Sequence, residues 1–136
     1  MTIPRVDTNV LIRYLADEPS EQAERVGRFF EQIEDGVIEV WLEDVVLAEV
    51  VWVLSSVYHA SRDEIVAGLL RLLGSPSIKV RDKPALRTTL THFRDRNVDF
   101  VDALLAAQTV SDGGTDIYSF DRDFDKLPGI NRIEPE

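Results

Sequence analysis

The chain has 136 residues, a hydrophobic fraction of 44% and no cysteine. That suits one folded domain with a real core and excludes a disulfide framework or a thiolate metal site. The net charge of −10, from 25 acids against 15 lysines and arginines, argues against a protein that holds nucleic acid by electrostatics alone.

Ile3 to Val6 reads as a short strand ending at Asp7. A tight turn follows, capped by Thr8 or Asn9, and then a helix from Val10 to Ala16. Asp17-Glu18-Pro19-Ser20 is a break, with Ser20 as the N-cap of a helix that carries Ala23, Val26, Phe29, Phe30 and Ile33 at helical spacing. Asp35-Gly36 ends it. Val37 to Trp41 is β-branched and aromatic, a second strand. Asp44 is placed to cap a helix from Val45 to Tyr58, in which nine of the ten residues Val45–Leu54 are apolar and Glu49 is the exception.

Ser61 and Glu64 have capping-box spacing and open a helix through Leu73, stopped by Gly74-Ser75-Pro76-Ser77. Ile78 to Val80 is a third strand. Asp82 caps a helix through Leu86, Leu90 and Phe93, ending near Asn97. The next helix opens at Asp99 and Asp102 and is apolar at every position from Ala103 to Ala107. That pattern predicts a helix buried on all sides. Asp112-Gly113-Gly114 is a turn, Thr115 to Phe120 a fourth strand, and Ile130 to Ile133 a short fifth. Strands alternating with helices predict a parallel sheet covered on both faces, a three-layer α/β/α sandwich in a single domain. No apolar run reaches the roughly 18–20 residues of a membrane span, and the first residues lack the regions of a secretory signal, so a cytoplasmic protein without a membrane role is expected.

Each acid has a plain structural alternative. Asp7 ends a strand and would serve as a turn former; Glu49 would snorkel from an edge or pair with an arginine. Asp99 is well placed as an N-cap accepting from the Asp102 N–H. Asp102 gains only about 0.3–1 kcal/mol from the helix N-terminus, too little to justify burial. Asp121 closes the fourth strand, and Asp123 and Asp125 read as solvated turn acids. Taken as a set, Asp7, Glu49, Asp102 and Asp121 occupy buried or strand-end positions in four segments that an α/β fold can bring to one sheet end. Clustered carboxylates repel, and a divalent cation resolves the repulsion. Oxygen-only ligands select Mg²⁺, with Mn²⁺ as a substitute, over zinc. His59 and His92 fall on other helices and read as surface or packing residues. Carboxylate-held Mg²⁺ suits phosphodiester hydrolysis.

Val6-Asp7-Thr8-Asn9, Leu47-Ala48-Glu49-Val50, Asp99 to Ala107 and Ser119-Phe120-Asp121-Arg122-Asp123-Phe124 stand in the order of four motifs. Together they closely resemble the PIN-domain nucleases, specifically the VapC-type toxins of toxin–antitoxin pairs. The resemblance covers nearly the whole chain. It implies a five-stranded parallel sheet of order 3-2-1-4-5 and an Mg²⁺-dependent endoribonuclease in which metal-bound water attacks RNA. It also implies a homodimer and a cognate antitoxin. Motif by motif, Asp7, Glu49, Asp102 and Asp121 become the metal-binding and catalytic acids. Asp99 becomes an extra acid acting through water, and Ser119 stands where the family usually has Thr. Thr8 and Asn9 either cap the first helix or contact a carboxylate or the substrate. Two rivals are a catalytically silent PIN-like module that binds RNA or protein, and a haloacid-dehalogenase-type phosphatase. The phosphatase requires a second Asp two residues after Asp7, where Asn9 stands.

Overall fold

The computed structural model describes residues 2–17 and 19–136. The break expected over 17–20 therefore includes one residue, Glu18, outside the described set. The contacts divide the chain into two compact units, one up to Arg81 and one from Asp82 onward.

In the first unit, helix α1 (Thr8–Leu15) packs against α2 (Ala23–Glu34) and α3 (Asp44–Ser56). Leu11 and Ile12 of α1 and Phe30 and Ile33 of α2 are buried, and Tyr14 stacks on Phe30 with ring centroids 4.0 Å apart. Strand β1 (Val40–Trp41) pairs in parallel with β2 (Ile78–Lys79), with Val40 opposite Ile78. The strand expected at Ile3–Val6 is a single bridge, Arg5 to Trp41. It is flanked by Trp41 N–H donating to the Pro4 carbonyl at 2.7 Å and Val6 N–H to the Trp41 carbonyl at 3.1 Å. Pro4 has no N–H to extend the ladder.

The second strand is shorter than expected for a different reason. Gly36, at φ +78°, turns the chain back, and the N–H groups of Val37 and Ile38 both go to the Gln32 carbonyl at the end of α2. Two residues that read as strand thus close a helix instead. The helix starts also shift. Gln22, not Ser20, is the N-cap of α2, and Glu43, not Asp44, that of α3. Glu43 uses its carboxylate elsewhere, on Arg5 at 3.1 Å and Arg81 at 3.2 Å.

Helix α4 (Arg62–Leu73) opens with the expected capping box: Ser61 Oγ accepts from Glu64 N–H at 3.1 Å, and Glu64 Oε1 accepts from Ser61 N–H at 3.2 Å. Both bonds satisfy donors that the first turn leaves without helical partners. Ser61→Ala is expected to lower stability by about 1 kcal/mol, read as a lower urea midpoint at unchanged slope.

In the second unit, α5 (Lys83–Asp95) begins at Asp82, whose carboxylate accepts from Ala85 N–H at 3.0 Å and from the Ser111 hydroxyl. These bonds, the Ser111 one foremost, hold the Asp82 carboxyl below the ordinary aspartate range. Asn97 takes the left-handed conformation (φ +53°) that ends the α5 segment. Helix α6 (Phe100–Ser111) packs on α5, with Phe93 and Phe100 edge to face at 6.1 Å. Strands β3 (Asp116–Tyr118) and β4 (Asn131–Ile133) pair in parallel, joined by a short 3₁₀ helix, Arg122–Lys126.

The chain is a mixed α/β protein. Among the described residues its sheet is two parallel pairs of two- or three-residue strands plus the Arg5 bridge. The expectation that α6 is buried all round is corrected, and the largely apolar α3 is likewise buried on one face only. Val101 and Leu105 on α6 are 57% and 45% exposed, and Val45 and Trp52 on α3 are 77% and 64% exposed. Each helix has one buried and one exposed apolar face. No described helix is long and apolar enough to cross a membrane.

Candidate metal centre

The site is built where α6 starts and where the chain leaves β3. Asp99 occupies the N-cap position of α6 with extended backbone, but its side chain makes no capping bond; its carbonyl instead accepts from Ala103 N–H at 3.0 Å. The Asp99 carboxylate is exposed. Asp102, in the first turn, is half-buried.

After β3 the chain is held extended by Ser119 N–H, which donates to the Ile133 carbonyl at 3.0 Å. Ser119 Oγ then accepts from Asp121 N–H at 2.9 Å. This is a short-range turn that a threonine hydroxyl would also make. Asp121 is the N-cap of the 3₁₀ helix and accepts from Asp123 N–H at 2.9 Å. Phe124 and Leu127 anchor the other side of this helix in the core.

The result is three carboxylates at one point. One oxygen from each of Asp102, Asp121 and Asp123 lies within 4.8 Å of the other two. Among the described residues this is the group of acids and histidines with that geometry. Burial first, and then the charges of Asp121, Asp99 and Asp123, push the Asp102 carboxyl above the ordinary aspartate range. All three of the charges that push it up are carboxylates. Asp99 is thus near enough to be felt by Asp102 while standing outside the close trio. Lys126 supplies the local counter-charge, bonding Asp123 at 2.9 Å and the Asn97 carbonyl at 3.4 Å.

The donor set tests well against a hard divalent cation. It offers carboxylate oxygens only, already close enough to share one ion, and a half-buried acid that is costly to ionise without one. The same set does not suit zinc, which takes nitrogen and sulfur ligands in most sites.

The structure places the other expected residues in the first unit. Asp7 is the N-cap of α1, exposed, with no side-chain capping bond, and its carbonyl accepts from Val10 N–H at 3.2 Å. Thr8 is therefore the first helical residue and is buried, rather than the cap, and Asn9 is exposed on the next position. Glu49 lies on the exposed face of α3, between Val45 and Trp52.

Sequence reasoning missed one member of the trio. Asp123 reads as a solvated turn acid, yet the structure brings it to Asp102 and Asp121. The available signal was the i, i+2 spacing of Asp121 and Asp123, in which one carboxylate bonds the other residue's N–H and fixes both on a single tight turn. Asp125, by contrast, is taken by Arg132 at 3.0 Å. His92 sits on α5, and its imidazole is held below its usual value by burial and by Arg96.

The sequence model of a family described as PIN domain matches residues 6–130. Across 130 residues the chain is 28% identical to a VapC ribonuclease of Aquifex aeolicus (strain VF5), covering 96% of this chain and 95% of that protein.

Proposed function

The chain belongs to the PIN-domain family, and from that premise we propose that it is a divalent-metal-dependent endoribonuclease, the toxin of a toxin–antitoxin pair. The observation that carries the reading is the convergence of Asp102, Asp121 and Asp123 in a chain alike over nearly its whole length to a VapC ribonuclease. Asp102 and Asp121 are proposed as metal-binding acids of the second unit, with Asp123 beside them. Asp7 and Glu49, at the first two motifs, are proposed to complete the ligand set; their support is the match of those motifs to the family. Asp99 is proposed to act on the ion through water.

Mg²⁺, or Mn²⁺ in its place, would supply the lowered water pKa and the charge that draws an RNA phosphate to an acidic site. The protein's own contribution is geometric. The first turn of α6 presents Asp102, and the Ser119–Asp121–Asp123 turn presents two acids in fixed register. Asp102 is half-buried, and its carboxyl is pushed above the ordinary aspartate range by burial and by Asp121, Asp99 and Asp123; a cation held there would favour its ionised form. Hydrolysis leaves a 5′-phosphate and a 3′-hydroxyl.

A cognate antitoxin and a homodimer belong to the same reading. The acidity of the chain (25 acids against 15 bases) complements a basic partner segment, whose arginine would pair with these carboxylates in place of metal.

The test is cleavage of a panel of structured RNAs in Mg²⁺, Mn²⁺ or EDTA, by wild type, Asp7→Asn and Asp121→Asn. Cleavage only with metal, lost in both variants, is expected. Cleavage that persists in EDTA, or full activity in both variants, rejects the mechanism. Tight RNA binding with no cleavage under any metal returns the silent binding module.

A further inference from the structure

We infer that Arg132 is the positioning residue of the acid-bearing loop, clasping the chain before Asp121 and after Asp123 with one guanidinium. Arg132 stands on β4, where its backbone is fixed by register opposite Ile117. Its side chain is only 11% exposed. Nη1 donates to the Ser119 carbonyl at 3.2 Å. Nε and Nη2 donate to the two oxygens of Asp125 at 3.0 and 3.4 Å. Nη1 also reaches Glu134 at 2.9 Å. Residues 119 and 125 are the two ends of the stretch that holds Asp121 and Asp123.

A five-residue 3₁₀ helix is too short to hold its own conformation. This one also carries like charges aimed at Asp102, which load it outward. The planar, rigid fork of arginine ties both ends of the stretch to a strand, which a flexible point charge cannot do. Arg132 acts through position, since its donors go to the Ser119 carbonyl, Asp125 and Glu134 and not to the trio itself. The inference rests on the metal-binding role proposed above, because its consequence is the spacing of the ligands.

The experiment compares Arg132→Lys, Asp125→Ala and Glu134→Ala in the full chain. Three readouts are taken: Mn²⁺ binding by calorimetry, amide hydrogen exchange over residues 119–126, and thermal unfolding. Arg132→Lys keeps the charge and loses the fork; Asp125→Ala opens one end of the clasp; Glu134→Ala removes a bond that lies outside it. The Mn²⁺ dissociation constant is expected to rise roughly 10–100-fold in the first two variants, the range for groups that orient metal ligands, and to stay at the wild-type value in the third. Exchange at the Asp121 and Asp123 amides should quicken in the first two only. Wild-type binding and exchange in folded Arg132→Lys overturns the inference, as does a loss in Glu134→Ala equal to that in Asp125→Ala. If the wild type takes up no Mn²⁺, the metal role fails by itself, and exchange at those two amides still decides whether the clasp exists.

Discussion

Replacing Asp102 with Asn is expected to lower RNA cleavage by more than about 100-fold, since even groups that only orient a metal ligand cost about 10–100-fold. The same change should raise the melting temperature of the metal-free protein. Burial and three neighbouring carboxylates hold the Asp102 carboxyl above its unfolded value of 3.8. Between that value and the raised folded one, the folded state holds more protons than the unfolded state. Stability from this group is therefore fully present below the unfolded pKa and lost as pH rises through the folded one. Asn cannot ionise, so the variant keeps at neutral pH what the wild type has only in acid. The variant gives up an acid near the α6 N-terminus, a loss of about 0.3–1 kcal/mol, but the net push on the wild-type carboxyl is upward, so relief of repulsion wins. Thermal unfolding in EDTA at pH 4 and pH 7 decides it. A variant less stable than wild type at pH 7, or one whose advantage does not grow with pH, contradicts the electrostatic account.

Saturation with Mn²⁺ should have the larger effect on stability. A ligand that binds only the folded state stabilises it by about 2.7 kcal/mol at 100 times its dissociation constant. Part of that affinity would come from relieving the repulsion among Asp102, Asp121 and Asp123. Uptake should displace a proton, and apparent affinity should fall as pH drops into the range where Asp102 is protonated, because cation and proton compete for the same oxygens. Calorimetry in two buffers of different ionisation enthalpy measures the proton released. In Asp102→Asn that proton should vanish, and a midpoint shift with Mn²⁺ equal to the wild type's would place the ion elsewhere.

The features legible in the sequence are those decided within a few residues. The Ser61–Glu64 capping box and the Asp82 cap stand where spacing put them, because both partners lie on one turn. Asp99 shows the limit of that logic. It holds the N-cap position, yet its carboxylate makes no cap bond. The strands fell short of expectation where a local competitor intervened, at Pro4 and at the Gly36 turn that closes α2. Composition also misjudged α6. An apolar run shows that a face is buried, but it does not say that the opposite face is, and Val45, Trp52, Val101 and Leu105 reach the surface. Asp123 was illegible for the opposite reason. Its membership in the trio depends on where the turn after β3 lies against the start of α6, a contact between segments about twenty residues apart in the chain.

The chain's two tryptophans, Trp41 and Trp52, both fall in the first unit, on β1 and α3. The molecule therefore carries a built-in optical label confined to the first unit. Tryptophan emission during denaturation reports one unit, while far-ultraviolet dichroism reports both. Coincident curves would mark one cooperative transition, and separated curves two. The same label sorts the proposed ligands. Trp52 stands three positions from Glu49 on α3, so a change in its emission on adding Mg²⁺ would register engagement of that helix. Calorimetric uptake with unaltered emission would argue against Glu49 as a ligand.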